Sequence, residues 1–437
     1  MSTTVPAPTS NRFAHTWRAL RHRNFRLYLT GQGISLMGSW MTRLALSWLT
    51  YRLTHSALLL GLVGFAGQIL TFLLAPFAGV WIDRIDRRKL LIATQIASAA
   101  QSLALAWLTL AGIITMNEIL ALAMLQGFID AFDMPARQSF VVKMVGNKED
   151  LGNAIALNSS MVNVARLIGP PVAAYVIAQL NEGYCFLIDG LSYLAVIASL
   201  FMMQVAHDRP SDLNRPSLFE QMKDGCSYVS SYVPVRNILL LFAVSSLMGM
   251  PYMVLLPIFA TQVLHGGPHT LGLLTGASGI GALTSAVSLA ARKNVLGLVS
   301  IIQIATAIFG AGLILFGSSH WLWLSLLAML LAGFGMMQGL AASNTVIQTL
   351  VPEEKRGRVM SYYTVAFVGM LPFGSLLSGY LAHIIGAPHT MLVTGLCVLL
   401  GGVLFSTQRR AVRRAMRTRY EELGILQPKP EPTNTVA

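Results

Sequence analysis

No Asp, Glu, Lys or Arg occurs in residues 237–291, 294–352 or 359–408 of this chain, and a fourth charge-free run covers 90–117. A helix that crosses a bilayer needs roughly 20 mostly apolar residues, and it must satisfy its own backbone polar groups. The run 90–117 fits one crossing. Each of the other three fits two, and each carries a breaker near its middle: "HGGPH" at 265–269, "GSSH" at 317–320 and "GAPH" at 386–389. Gly and Pro punctuate a helical pattern in this way. These runs therefore read as helical hairpins that cross a membrane and return.

Composition agrees with that solvent. The 437 residues are 54% hydrophobic and 11% charged, with a mean hydropathy of +0.61. A soluble domain carries about a quarter charged residues. The pattern predicts spans near 25–51, 57–82, 90–114, 117–142, 152–179, 184–206, 237–263, 269–291, 295–316, 321–345, 357–383 and 388–407. The expected fold is an all-α membrane protein with twelve transmembrane helices in two pseudo-symmetric six-helix bundles.

The basic residues set the expected orientation. They gather at Arg12–Arg23, Arg84–Lys89, Lys143–Lys148, Arg209–Arg236, Arg292–Lys293, Lys355–Arg358 and Arg409–Arg419, while the alternate connections hold Arg52, Glu118 and Glu182. By the positive-inside rule the first set faces the cytosol, with both termini. Topology then accounts for the net charge of +13, and no nucleic-acid partner is expected. The first 24 residues lack an apolar core and do not read as a cleaved signal. Cys185, Cys226 and Cys397 are far apart, the nine His are scattered, and no H-E-x-x-H or C-x-x-C occurs. Neither a metal nor another cofactor is expected, and the chain does not read as an enzyme.

The two halves look alike. At a constant offset Glu149 falls on Glu354, Gly152 on Gly357, Gly169 on Gly374 and Tyr175 on Tyr380. Such internal repeats are common in transporters. The expected organisation is a cytosolic segment 1–24, a bundle 25–206, a loop 207–236, a second bundle 237–407 and a basic tail 408–437. Within the loop, "SLFEQMKDGCSYVSSYV" predicts an amphipathic surface helix. The tail "RRAVRRAMRTR" predicts a surface helix held by anionic lipid.

Between residues 79 and 89 the chain reads "GVWIDRIDRRK". Gly79, Asp83, Arg84, Arg87 and Arg88 stand at the spacing G-x-x-x-D-R-x-G-R-R/K, with Asp86 in place of the last Gly. This resembles the loop between helices 2 and 3 of the major facilitator superfamily. Ala156, Ala165, Gly169, Pro170, Ala173 and Ala174 match the exporter pattern G-x8-G-x3-G-P-x2-G-G of its fifth helix, with Ala for all but one Gly. Ala is still small enough for close helix packing. "GFIDAFDMPARQSFV", "FLIDGLSYLAVI" and "RGRVMSYY" look like the branch that holds the enterobactin exporter and macrolide and multidrug efflux carriers. The resemblance covers about residues 20–407.

The resemblance implies alternating access about a cavity lined by helices 1, 4, 7 and 10. Ionisable residues at membrane depth face a cavity or a partner. Asp130 and Asp133 are then the candidates for proton coupling. Asp130 lies roughly 20 Å deep at about 1.5 Å per residue. Arg43, Arg137 and Arg166 are candidates for the substrate cavity, with Asp133–Arg137 also readable as a structural pair and Arg166 as the partner of an acid on another helix. Asp189 is placed near the outer end of span 6, where an acid satisfies helix N–H groups. Gly79, Asp83, Arg84, Arg87 and Arg88, with Arg356 and Arg358 at the start of span 11, are expected to form a cytosolic latch between the bundles. Trp40, Trp48, Tyr252, Tyr362, Tyr363 and the methionines near 250 and 336 coat a pocket or serve as packing.

The expected function is proton-coupled antiport of a siderophore, drug or other amphiphilic small molecule out of the cytosol. No G-x-x-x-x-G-K-[ST] loop is present to bind ATP. The expected setting is the lipid bilayer of a bacterial inner membrane, and the expected state is a monomer. An uptake symporter or lysolipid flippase is the alternative on the same fold, and a non-transporting receptor the alternative from another class.

Overall fold

A computed structural model describes residues 18–82, 85–145, 148–204, 218–292 and 295–422. The long helices are α1 (Arg23–Thr54), α2 (Ala57–Ile82), α3 (Arg87–Leu110), α4 (Met116–Met144), α5 (Lys148–Gln179) and α6 (Glu182–Met202). They continue with α7 (Val233–Val263), α8 (Pro268–Ala290), α9 (Leu298–Ser318), α10 (Leu322–Leu350), α11 (Glu353–Ile385) and α12 (Ala387–Thr407). Among the described residues eleven helices are long and apolar enough to cross a membrane. The exception is α1, long enough but interrupted by polar residues such as Gln32 and Ser35, both buried within the fold. The three hairpin breakers fall between α7 and α8, α9 and α10, and α11 and α12, with Gly386 at φ +82°.

Helix starts follow local chemistry. Asp86 caps α3, its Oδ1 accepting from the backbone N–H of Arg88 at 2.9 Å and of Lys89 at 3.2 Å. This gives the unusual acid of the loop motif a role that glycine cannot fill. Thr115 and Glu118 form a reciprocal capping box on α4. Asn181 caps α6 by accepting from Gly183 N–H at 2.9 Å.

The described residues divide into two compact units. One takes in the chain up to Leu213 together with His265–Gly276, the other Asn214–Leu264 and the chain from Ala277.

In the first unit α1 packs on α6 along a seam of small residues. A Cβ on Gly31 would lie 2.7 Å from Ser199 Oγ, and one on Gly38 would lie 2.8 Å from Ser192 Oγ. Small residues let backbones approach where lipid offers no hydrophobic drive for association. Ala165, Ala173 and Ala174 of α5 are buried, whereas Ala156 is exposed. Gly272, in the segment that joins this unit, lies so close to Ala174 that a Cβ on it would be 2.4 Å from the alanine's Cβ. One end of the seam is closed by Arg52 on α1, which donates to both oxygens of Glu182 on α6 at 2.7 and 3.1 Å.

In the second unit α7 and α11 depart from regular helices. Each contains a π turn followed closely by a proline, Ser245–Gly249 before Pro251 and Val365–Gly369 before Pro372, and α7 ends on a further π turn, Phe259–Val263. In the wider register the Phe367 carbonyl would look to residue 372, a proline without an N–H. The Ser246 hydroxyl donates to that carbonyl instead and joins the two turns.

Two shorter helices also belong to this unit. Leu218–Ser231 packs on the start of α11, with Gly225 against the Tyr362 ring and Lys355 Nζ 4.7 Å from the centre of the Tyr228 ring. Arg409–Glu422 does not merely rest on lipid, as its arginines predict. Val412, Met416 and Tyr420, one turn apart each, are buried in a cluster with Val235, Ile238 and Leu350. An apolar stripe at this spacing docks a helix whatever charges its other face carries.

Candidate functional site

The first unit holds the charged residues that lie at membrane depth. Gly169 of α5 closes on α1, where a Cβ would be 2.7 Å from Trp40 Cβ. That approach brings Arg166 onto the Trp40 indole, its guanidinium carbon 5.7 Å from the ring centre. Arg43 reaches the same ring from its own helix at 5.2 Å. The structure therefore joins Arg43 and Arg166 through an aromatic residue that the sequence offered only as pocket lining or packing. A face of an indole attracts cations by about 0.5–2 kcal/mol. Arg43 is exposed and Arg166 half-buried, so both guanidinium groups keep donors for a further partner.

The α4 residues Asp130, Asp133 and Arg137 do not act as one group. Asp133 is 4% exposed and pairs with Arg137. Its other oxygen accepts from Thr94 Oγ1 and Gln95 Nε2, both at 2.8 Å. A guanidinium, an amide N–H and a hydroxyl thus hold this buried carboxylate, so that removing any one partner is costly. Asp130 is half-buried and accepts from Gln126 on its own helix at 2.9 Å. Arg43 acts on it electrostatically from α1.

Asp189 differs from its expected place. It is 1% exposed, and its partners are hydroxyls from other helices rather than helix N–H groups. Thr42 donates to Oδ2 at 2.8 Å, Ser102 to the same oxygen at 2.9 Å, and Ser39 to Oδ1 at 3.4 Å. Ser39 also meets the Tyr193 hydroxyl at 3.3 Å. No spacing in the sequence brings Thr42, Ser102 and Asp189 together; only the α1–α6 and α3–α6 packing does.

Of the loop motif, Asp83 and Arg84 lie outside the described residues, and Gly79 falls in the last two turns of α2. Arg88 donates to the Phe201 carbonyl at the end of α6 at 3.0 Å, where a cation meets the negative end of the helix dipole. Arg87 stands beside it at the start of α3. Arg356 and Arg358 lie in the first turns of α11, in the second unit.

The second unit contains a small, mostly apolar cavity beside the first π turn, lined among others by Ser245, Ser246, Phe309, Met336, Ser343 and Phe367. Tyr252 and Tyr363 are packing residues. Tyr252 is buried with its hydroxyl 2.6 Å from Ser278 Oγ, and Tyr363 stacks on Phe242 with ring centres 5.0 Å apart.

The comparisons with known proteins agree with this architecture. The family model described as transmembrane secretion effector matches residues 14–422. The chain is 24% identical to the staphyloferrin A transporter of Staphylococcus aureus over 91% of its own length and 98% of that protein's. It is 26% identical to the multidrug efflux pump Tap of Mycolicibacterium fortuitum over 84% and 91%. Among solved structures, a POT family transporter in complex with a thioalcohol-conjugated peptide superposes with a TM-score of 0.70. That superposition has 13% identity and covers 89% of this chain and 96% of the other. An all-helical chain with this series of spans, matched by the family model over nearly its whole length, belongs to the transmembrane secretion effector family of the major facilitator superfamily and is a multi-pass membrane transporter.

Proposed function

We propose that this transporter exports an amphiphilic small molecule with anionic or hydrogen-bond-accepting groups, by alternating access driven through proton antiport. The observation that carries the reading is the pair Arg43 and Arg166 against the one Trp40 indole, with Asp130 in electrostatic reach of Arg43. Two cations on one indole offer donors to an anion and an aromatic face to an apolar body. A charge left exposed at membrane depth belongs to a water-filled pathway rather than to lipid. Relatives named for a siderophore, a macrolide and multiple drugs support efflux of such molecules.

The proton role falls to an acid that is free to change charge. Asp133, held by Arg137, reads as structural, which leaves Asp130 as the coupling candidate beside the arginines. The segment Gly79–Arg88 with Arg356 and Arg358 serves in this proposal as a cytosolic latch of weak, partly exposed ion pairs worth about 0–1 kcal/mol each. The protein works as a monomer in a bacterial inner membrane with both termini in the cytosol.

Everted vesicles that carry the protein test this reading. Under an imposed pH gradient they accumulate macrolides or carboxylate and catecholate siderophores, and collapsing the gradient stops accumulation. Uptake into the vesicles that ignores the gradient removes antiport. An Arg43→Ala, Arg166→Ala double variant with undiminished transport removes the site.

A further inference from the structure

We propose that Asp189 is a proton-binding carboxylate whose charge state is read by α1. The inference deepens the antiport reading and rests on it for its place in transport.

The cage around the side chain decides which charge states it can hold. A guanidinium can only donate. A hydroxyl both donates and accepts. Asp189 is surrounded by three hydroxyls, from Ser39 and Thr42 of α1 and Ser102 of α3. No ion pair engages it among the described residues. The same atoms therefore hold the side chain as carboxylate and as carboxylic acid.

A proton has a definite effect at this site. Oδ2 accepts from both Thr42 and Ser102. A proton on that oxygen makes it a donor, and one of the two hydroxyls must turn to accept or let go. Ser102 of this pair, and Ser39 on Oδ1, each have a second acceptor in place. Ser102 lies 3.3 Å from Gln101 Oε1, and Ser39 lies 3.1 Å from the Ser35 carbonyl. With Ser102 as the hydroxyl that lets go, the proton can arrive and leave without stranding a buried polar group.

The change is passed to α1 because the two helices touch at this level. A Cβ on Gly38 would lie 2.8 Å from Asp189 Oδ1, so the α1 backbone lies directly against the carboxyl group. Thr42 is followed by Arg43, which acts electrostatically on both Asp189 and Asp130. Other titratable groups that bear on the site are few. From α6 itself come Cys185 and Tyr193. From α4, Asp130 and Arg137 act on Tyr193. The contacts from α3 are the uncharged Gln101 and Ser102, and α5 meets α6 through the Ala173 carbonyl on Cys185. Arg43 is thus the cation that both acids share, and neutralising Asp189 leaves it to Asp130 or to an anionic substrate.

Infrared difference spectra of the full chain in lipid vesicles, recorded against pH, test the inference without a substrate. The wild type is expected to show a carboxylic C=O band that grows as pH falls. The band is lost in Asp189→Asn and retained in Asp130→Asn. Thr42→Val and Ser102→Ala keep the carboxyl group and guard against a variant that fails to fold; each is expected to shift the band and its titration midpoint. A band unchanged in Asp189→Asn, a band unmoved in both hydroxyl variants, or no titrating band in the wild type overturns the inference. Transport of a macrolide that ignores the pH gradient would instead overturn antiport, and the band would still decide where the proton binds.

Discussion

Arg52 grips Glu182 with two hydrogen bonds, although the carboxylate is almost wholly buried and the guanidinium half-exposed. The asymmetry makes the pair unequal under mutation. Arg52→Ala strands a buried charge and costs about 1–3 kcal/mol. Glu182→Gln keeps a hydrogen-bonding side chain and costs less. The double variant recovers part of the loss, since neighbours in one contact are not additive. Thermal unfolding of the four proteins in one detergent measures the cycle.

Asp133 and Arg137 give a larger effect of the same kind. Both lie inside the membrane-spanning part of α4, where removing one partner leaves a charge without compensation, at a cost of about 3–5 kcal/mol. Arg137→Ala is therefore expected to lower folded yield and melting temperature strongly. Replacing Asp133 and Arg137 together with Asn and Gln restores most of the stability. If the double variant is also fully active in vesicle transport, the pair is structural.

Trp40 holds Arg43 and Arg166 at once, so its loss affects both. Trp40→Leu is expected to weaken substrate engagement by about 2- to 30-fold, the range that 0.5–2 kcal/mol of cation–π attraction supports. Trp40→Phe keeps part of it. Concentration dependence of export separates the outcomes: a change in KM with constant maximal rate places the loss in binding.

Ser246 offers a test of the two π turns. Ser246→Ala leaves the Phe367 carbonyl without its side-chain donor and is expected to destabilise the second unit by about 1 kcal/mol. Hydrogen exchange should quicken around Ser245–Gly249 and Val365–Gly369 and remain slow in α9. Unaltered exchange at both turns would show that the hydroxyl contributes nothing there.

The crossings were legible because charge-free runs and Gly or Pro turns are local signals. The π turns were not: one extra residue within an apolar helix disturbs no pattern when every face is apolar. Asp130, Asp133 and Arg137 stood out as charges in a membrane segment, yet spacing alone places all three on one face. Burial and the partners Thr94, Gln95 and Gln126 separate Asp133 from Asp130. Position 189 lies only a few residues past the expected start of span 6 at 184, which points to helix N–H groups as its partners, while the actual partners lie 147 and 87 residues away. Val412, Met416 and Tyr420 had the right period for a docked helix, but the arginines between them drew the reading towards lipid.

The docked helix Arg409–Glu422 has a practical consequence. A purification tag or fluorescent protein fused after residue 422 hangs from an element of the fold, whereas truncation before Val412 uncovers the greasy floor formed by Val235, Ile238 and Leu350. Shortened versions of this transporter would be prone to clump in detergent for that reason alone, and a loss of transport in them would say nothing about the pathway.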